Sequence, residues 1–544
     1  MKACLLYSQK EWENTSRYVD EKAIAKDLGL NTLFLAAAKE IQWEDGKISL
    51  IQEPDPFLAD TMKKVMLVPL KTAEEILYRQ EILRDCLRQE AFICRLYNLT
   101  SHLLGEWNKL GRRSGAGSGN YNSPGSLISE IYVLQLFVSG LKQLKQLMDE
   151  QKDDLQSPGL QSFHERLCSE FSSRLEKDLE RILADVIFYV DTREAELNES
   201  GSKGFVDKPR LIMGCVIGQG LKLEDFRLDE VETESKKQRR AVNILARAQD
   251  YLNMRSKNII SVRTDTALPE QMKQLEFEAV RHIVSCSKPF ISALAGFWDQ
   301  LHFQAAFYRG AVNLKHFMDR FHINCAFPVP GKCRTLHFRE LQEVVMGLEQ
   351  HMAPIGNTCD LNEITLLLVT GANQGGKSTF LRSIGIAQVM LQCGLFAAAE
   401  SFESGIFPSL FTHFTRREDS AMNSGRLDEE LGRMSQIIDH LEGASMILLN
   451  ESFASTTEKE GSAIAYDIVR ALAEANIKIL MVTHLLSFAQ KVQNELQGPE
   501  LPTAFLSAQR IEQQGRMQRT YKMIPHEPEL TSFGLELYDE IILS

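Results

Sequence analysis

No run of eighteen or more apolar residues occurs in the 544-residue chain; its most hydrophobic stretches, around Leu33 to Ala38 and Val389 to Ala399, are short or broken by Gln392 and Gly394. A membrane-spanning helix needs about 20 such residues, so none is expected. The start, Met1-Lys2-Ala3-Cys4-Leu5-Leu6-Tyr7, runs into charged sequence with no long apolar segment or cleavage site, and no secretory signal is visible. The ten cysteines are scattered singly, with no CxxC pair and no Cys/His cluster at zinc spacing. These absences predict a reduced, cytoplasmic protein without structural metal. Positive charge is not in excess either: 61 basic residues against 73 acidic ones leave a net charge of −12. Such a surface is no general polyanion glue, and nucleic acid would have to be held by a local basic patch. No internal repeat of solenoid period is apparent. What is present, 44% hydrophobic and 25% charged residues, is the composition of an ordinary folded protein and excludes wholesale disorder. At about 150 residues per domain the length corresponds to three or four domains, or two large ones.

The first half is helical in its grammar. Thr72-Ala73-Glu74-Glu75 matches a capping box, and behind it Ile76, Leu77, Leu83, Leu87, Ile93 and Leu96 recur at helical spacing, which predicts one long amphipathic helix. The Gly/Ser-rich stretch 111–126 predicts a flexible loop before an apolar helix over 127–148, and another helical pattern covers 171–189. Leu211 to Gly218 reads as a short strand or hairpin, after which helical spacing resumes from Val231 to His316. From about His322 short apolar runs alternate with helices, the mark of an α/β domain with a parallel sheet; the runs are Ile364 to Thr370, Ser445 to Leu449 and Ile477 to Val482. The expected fold class is α/β plus all-α. We divide the chain into a short N-terminal segment (1–55), a helical domain (56–324) with a strand-like insertion near 200–230, and an α/β domain (325–544).

The chemistry sits in the second half. Gly371-Ala372-Asn373-Gln374-Gly375-Gly376-Lys377-Ser378 satisfies GxxxxGK[ST] between an apolar strand and a helical segment that begins at Thr379, itself counted with the nucleotide-binding residues. Glycines let backbone N–H groups converge on phosphate oxygens, the helix N-terminus adds positive potential, Lys377 reaches the β- and γ-phosphates, and Ser378 offers a hydroxyl to Mg²⁺. Met446 to Glu451 is a second apolar strand ending in polar residues, 450 − 378 = 72 positions after Ser378, and is a Walker B candidate. An acidic residue there serves the Mg²⁺ shell and the next carboxylate orients the attacking water. Glu451 suits the second role. Asn450 stands where an aspartate is usual, so it accepts a hydrogen bond from metal-bound water without adding charge, and slow or magnesium-demanding hydrolysis is expected. Thr483-His484 follows the third strand, at the end where open α/β sheets place ligands, and His484 is the candidate contact to the γ-phosphate or the attacking water.

These residues resemble the MutS family of DNA mismatch-repair ATPases. Gly371 to Arg382 looks like that family's P-loop, which reads GPNMGGKST before an aromatic or apolar pair and Arg. The order downstream is also similar: Gly394 to Ala399 resembles its GxxVPA segment, Phe411 to Phe414 its IFTR segment, Glu418-Asp419 with Asn423 to Arg426 its DDxxxSGRS signature, and Val482-Thr483-His484 its ATH switch. The resemblance is strong over 365–490 and diffuse over about 55–320, where Val68-Pro69-Leu70 and Tyr78-Arg79-Gln80 look like the start of the family's helical core and lever. It implies an ABC-type P-loop ATPase domain following a long-helix core/lever domain, with ATP and Mg²⁺ bound at composite sites of a homodimer formed through the ATPase domains.

Departures shape the expectation. Only residues 1–55 precede the lever-like region, too few for a mismatch-recognition and a connector domain, so mismatch reading is not implied. The chain stops 544 − 534 = 10 residues after Thr531-Ser532-Phe533-Gly534, which resembles the SYG segment, leaving no C-terminal helix-turn-helix. Leu427 falls at the signature serine, so Ser424 is the nearest hydroxyl to reach a γ-phosphate in trans.

From Val231 to Lys257 seven basic residues face three acidic ones, a net of +4. Lys236, Lys237, Arg239 and Arg240 lead this patch, which follows the strand-like insertion where the resemblance implies a clamp on the DNA backbone. Phosphate contacts need no sequence reading. The expected function is an ATP-dependent DNA-binding protein that clamps irregular or branched duplex. The alternative is a nucleotide-dependent switch that grips a protein partner, with residual ATPase activity.

Overall fold

The computed structural model describes residues 2–8, 18–44, 47–51, 53–113, 124–174, 176–177, 210–217, 223–232, 269–372, 374–415, 425–498, 501–513 and 516–528. Its first half holds α1 (Glu21–Asp27), α2 (Leu30–Ala37), β1 (Ile41–Glu44), β2 (Lys47–Ile51), α3 (Pro56–Met66), α4 (Ala73–Arg88), α5 (Glu90–Arg113), α6 (Pro124–Gln151) and α7 (Pro158–Glu170). These are followed by β3 (Arg210–Ile217), β4 (Leu223–Glu232) and α8 (Pro269–Arg320). The capping box forms as its residues dictate, Thr72 Oγ1 accepting from Glu75 N at 3.2 Å. The single helix expected behind it is two: Gln89 leaves helical geometry at φ −118°, ψ 62°, which ends α4 before α5 begins. Of the run Leu211 to Gly218, Leu211 to Ile217 lie in β3, which pairs antiparallel with β4, and Gly218 lies outside the described residues. No helix of the described residues is long and apolar enough to cross a membrane.

Two compact units are present. One comprises Met1–Lys2, Asn98–Glu150 and His164–His302; the other comprises Ala3–Tyr97, Gln151–Phe163 and Phe303–Ser544. In the first, α5, α6 and α8 meet closely at Gly140, where a Cβ would lie 2.5 Å from Leu103 Cδ1 and 3.0 Å from the buried Trp298 ring.

The second unit continues with β5 (Val329–Gly331), β6 (Leu336–Leu341), α9 (Val344–Gln350), β7 (Asn357–Asp360), β8 (Leu366–Thr370), α10 (Lys377–Gln392), β9 (Ser401–Gly405), β10 (Leu410–Phe414) and α11 (Arg426–His440). β11 (Met446–Asn450), α12 (Glu458–Glu474), β12 (Lys478–Val482), α13 (Leu486–Lys491), a π-helical turn (Val492–Leu496), β13 (Thr503–Gln513) and β14 (Arg516–Pro525) complete it. The main sheet runs in the order β10-β11-β12-β8-β13-β14. Its first five strands are parallel and β14 is antiparallel to β13. The three apolar runs read from sequence are β8, β11 and β12. One face of them, Leu366, Leu368, Ile447, Leu449, Ile479 and Met481, packs with Val469, Leu472 and Phe488 of α12 and α13. The other face meets α10: a Cβ on Gly385 would lie 2.5 Å from Leu448 Cδ1 and 2.8 Å from Leu28 Cδ2. Cover on both faces explains why these strands are apolar throughout rather than alternating.

Leu28 also shows where the N-terminal residues go. Residues 3–97 belong to the unit that holds the parallel sheet, so the compact units do not follow the change of sequence grammar near residue 325. Ala3 to Tyr7 are buried as a strap: Leu5 N and Leu6 N donate to Gln304 Oε1, and Tyr308 Oη donates to Leu5 O. Arg79, fully buried, donates to Leu6 O and, at 2.9 Å, to Cys393 O just past the end of α10. A buried guanidinium is tolerated because its hydrogen bonds are met, here by carbonyls that close two chain segments.

Candidate active site

Three turns at the carboxyl ends of β8, β11 and β12 form the site. After β8 the chain turns through Gly371 (φ 106°), where a Cβ would lie 2.8 Å from Ser507 Oγ and 3.1 Å from Ala508 N of β13. Both the backbone angle and the close approach require glycine. Gly376 (φ 88°) precedes α10, and no side chain caps this N-terminus. Its first-turn N–H groups and the helix dipole thereby favour an anion in the space in front of the loop. Asn373 lies outside the described residues. Gln374 (φ 59°) is held by Arg519 Nη1 of β14, which donates to its Oε1 at 2.9 Å.

Lys377 folds back over the loop, its Nζ donating to Gly371 O at 2.8 Å and Ala372 O at 2.9 Å. Burial pushes its pKa down to about 8; the Glu451 carboxylate works against that lowering and the Arg510 charge adds to it. One residue on, Ser378 Oγ donates to Asn450 Oδ1 at 2.8 Å, joining the P-loop helix to the end of β11. Glu451 then adopts φ 54°, a left-handed conformation rare outside glycine, with its N–H bonded to Val482 O at 2.9 Å. Such a turn costs roughly 1–3 kcal/mol and persists where its surroundings over-determine it. Thr415 Oγ1, donating to Asn450 O and Glu451 O, is one of those surroundings. The turn brings Glu451 to His484, whose Nε2 donates to Glu451 Oε1 at 3.1 Å. That hydrogen bond is the main reason the Glu451 carboxyl lies below its ordinary pKa; burial opposes it, and the charges of His484 and Lys377 add to the lowering. Glu451 is therefore a carboxylate at neutral pH, half-exposed and facing the mouth of the loop.

The residues fit a magnesium-bound nucleoside triphosphate. Backbone N–H groups and an uncapped helix N-terminus suit phosphate oxygens, and the neighbouring oxygens of Ser378 and Asn450 are the hard donors that Mg²⁺ takes. Of the residues expected from sequence, the structure brings Gly371, Ala372, Gln374, Gly375, Gly376, Lys377, Ser378, Thr379, Asn450, Glu451 and His484 to the carboxyl end of the sheet. Ser424 and the basic residues Lys236, Lys237, Arg239 and Arg240 lie outside the described residues. Sequence reading missed Thr415, Arg510 and Arg519. The last two stand on β13 and β14, which follow β12 in sequence; β13 pairs with β8 in space and β14 with β13, so spacing alone carried no signal for them.

Two family models match parts of the chain. The family model described as MutS domain V matches residues 367–541, and that described as the MutS2 N-terminal domain matches residues 71–321. The chain belongs to the MutS family. It is similar to the DNA mismatch repair protein MutS of Listeria welshimeri, at 30% identity over 216 residues, which is 39% of this chain and 24% of that protein. Similarity to the DNA mismatch repair protein MutS of Thermotoga maritima is 31% over 129 residues, covering 24% of this chain and 16% of the relative. MutS protein homolog 4 of Homo sapiens is 27% identical over 188 residues, 34% of this chain and 20% of its own length. The matched stretches thus span a quarter or less of these relatives. Within the MutS domain V match lie β8 from Leu367 on, the P-loop, Asn450, Glu451 and His484.

Proposed function

We propose that this MutS-family chain is an ATPase that couples nucleotide binding to holding DNA. The observation that carries this reading is the pairing of Glu451 with His484 beside the Ser378–Asn450 contact, at the mouth of a P-loop that buries Lys377. Lys377 and the loop bind the triphosphate, Ser378 and Asn450 face the magnesium shell, Glu451 activates water, and His484 orients Glu451 and contacts the γ-phosphate. Ser378 and Asn450 would hold Mg²⁺, which would supply positive charge to offset that of the phosphates. Asn450 contributes no negative charge, so turnover is slow or demands more magnesium than an aspartate site.

The site works in a homodimer closed through the ATPase domains (residues 325–544), with Ser424 reaching the partner's nucleotide, and the helical domain (56–324) carries closure to DNA. Lys236, Lys237, Arg239 and Arg240 supply phosphate contacts to irregular or branched duplex, without reading mismatches. Asn450 also favours a second reading, a nucleotide-dependent switch that grips a protein partner with residual hydrolysis.

ATP turnover measured with linear, mismatched, forked and four-way DNA tests both. Stimulation by DNA, lost together with binding when the four basic residues are neutralised, supports the first reading. Turnover indifferent to every DNA, with no ATP-dependent DNA binding, sinks it in favour of the second.

A further inference from the structure

Outside the nucleotide site, α6 and α7 bring three metal-ligating side chains together. His164 and Cys168 are four residues apart on α7 and share one face of it. Asp149, near the end of α6, reaches the same point. His164 Nε2 lies 2.6 Å from Asp149 Oδ1 and 3.4 Å from Cys168 Sγ, and one donor atom from each residue falls within 4.8 Å of the other two. His164 is buried, Cys168 half-buried and Asp149 exposed.

The arrangement discriminates between two chemistries. A nucleophilic Cys-His-Asp relay takes the carboxylate at one ring nitrogen and the thiol at the other, so that the proton passes through the imidazole. Here both partners face Nε2. A single nitrogen carries at most one proton, so it cannot donate to Asp149 and accept from the Cys168 thiol together. Three donor atoms converging on one point, one oxygen, one nitrogen and one sulfur, are instead what a cation requires.

We propose that Asp149, His164 and Cys168 bind a divalent transition-metal cation of the zinc class. Imidazole and thiolate select borderline-soft ions over Mg²⁺ or Ca²⁺, and three protein ligands with a fourth position open to water are the common form of a non-structural zinc site. With bonds of about 2.0–2.3 Å in tetrahedral geometry, ligand atoms stand about 3.3 Å apart for oxygen to nitrogen and about 3.6 Å for nitrogen to sulfur. The nitrogen–sulfur distance is already close to that value. The oxygen must withdraw by about 0.7 Å, and it belongs to the exposed member of the set. Binding would clip the end of α6 to α7 across the loop that joins them. Cysteine and histidine spacing gave no hint of this, because the chain supplies one cysteine and one histidine locally and the carboxylate from another helix.

The test is titration of the full chain, purified free of metal, with Co²⁺. Expected is a saturable thiolate-to-cobalt charge-transfer band in the near ultraviolet, reaching a single equivalent and displaced by Zn²⁺. Cobalt at Ser378 and Asn450 would produce no such band, since no sulfur is there, so the readout is independent of the nucleotide site. Cys168→Ser removes the band. Asp149→Asn weakens Co²⁺ binding by roughly 10–100-fold, at least the loss that follows removal of an outer-shell partner. Cys333→Ser, at an exposed cysteine, leaves both unchanged. His164→Gln is a riskier variant because the ring is buried; the more exposed positions 149 and 168 keep the test decisive. No saturable band, or a band that survives Cys168→Ser, overturns the proposal.

Discussion

The two ends of the parallel sheet each bury a lysine, and the pair separates what burial does from what a site does. Lys377, at the carboxyl end, is 5% exposed and bonded to two loop carbonyls. Lys478, at the amino end of β12, is also 5% exposed and donates to Arg334 O and Leu361 O, each at 3.2 Å, and Ile364 O at 2.9 Å. Burial pushes the pKa of both down to about 8. A lowered lysine pKa is thus no mark of function by itself. The difference lies in the surroundings: Lys478 is enclosed by three carbonyls that stitch β12 to the chain before β8, whereas Lys377 stands at a helix N-terminus facing Glu451 and His484. One ammonium is spent on structure, the other is available to a ligand.

That contrast can be broken most severely at Glu451. Glu451→Gln should slow ATP turnover by roughly 10²–10⁴-fold while leaving nucleotide affinity near wild type, because the general base is lost and the phosphate contacts are not. Single-turnover hydrolysis beside equilibrium binding gives the answer, and unchanged turnover would put the base elsewhere. Next in size, Lys377→Ala should weaken ATP binding roughly 10–150-fold, the equivalent of about 1.5–3 kcal/mol for a hydrogen bond to a charged group. Its denaturation midpoint should fall less than that of a Lys478 variant, because two loop carbonyls lose their donor instead of three.

Lys478→Met should do the reverse. Leaving buried carbonyls without their donor costs about 1–3 kcal/mol of stability, read as a lower urea midpoint, with ATP affinity in calorimetry unaltered. A variant that loses binding but not stability would erase the distinction between the two ends.

Proton linkage sharpens the comparison further. Both lysines have folded pKa values near 8, below the ordinary 10.5, so between those values the unfolded chain holds protons that the native state has released. Their contribution to stability therefore rises with pH across that window. ATP affinity moves the other way, since the Lys377 ammonium is lost above about 8. Lys377→Arg should flatten the fall in affinity, and Lys478→Met should reduce the rise in stability without touching affinity. Smallest of all, Asn450→Asp should lower the magnesium needed for half-maximal turnover a few-fold by adding charge beside Ser378. Loss of activity at every magnesium concentration and pH would instead show a site organised around the amide.

Local chemistry explains which features are legible in the residues alone. The P-loop is legible because glycine, lysine and serine must sit at short fixed spacing to turn one strand into one helix. Asn450 with Glu451 and Thr483 with His484 are legible because each follows an apolar run that only a strand covered on both faces requires. The Thr72 cap needs nothing beyond its own next three residues. Where sequence pattern misled, a local detail or a distant partner decided the outcome: the helix drawn through Gln89 had the right periodicity, but periodicity does not register a break at a single residue.

The order of residues by itself determined the family, the P-loop turn, and the three strands that carry the catalytic candidates, since each depends on contacts within a few residues or on simple burial. Only tertiary structure decided that residues 3–97 join the unit of the parallel sheet, with Arg79 bonded to carbonyls at positions 6 and 393. It alone set Lys478 in its carbonyl cage, Arg519 on Gln374, and Asp149 against His164 and Cys168. In each case the partners are separated by loops whose length and composition leave the meeting unspecified. What brings them together is the packing of whole helices and strands, which fixes where a side chain arrives without leaving a pattern at either end of the contact.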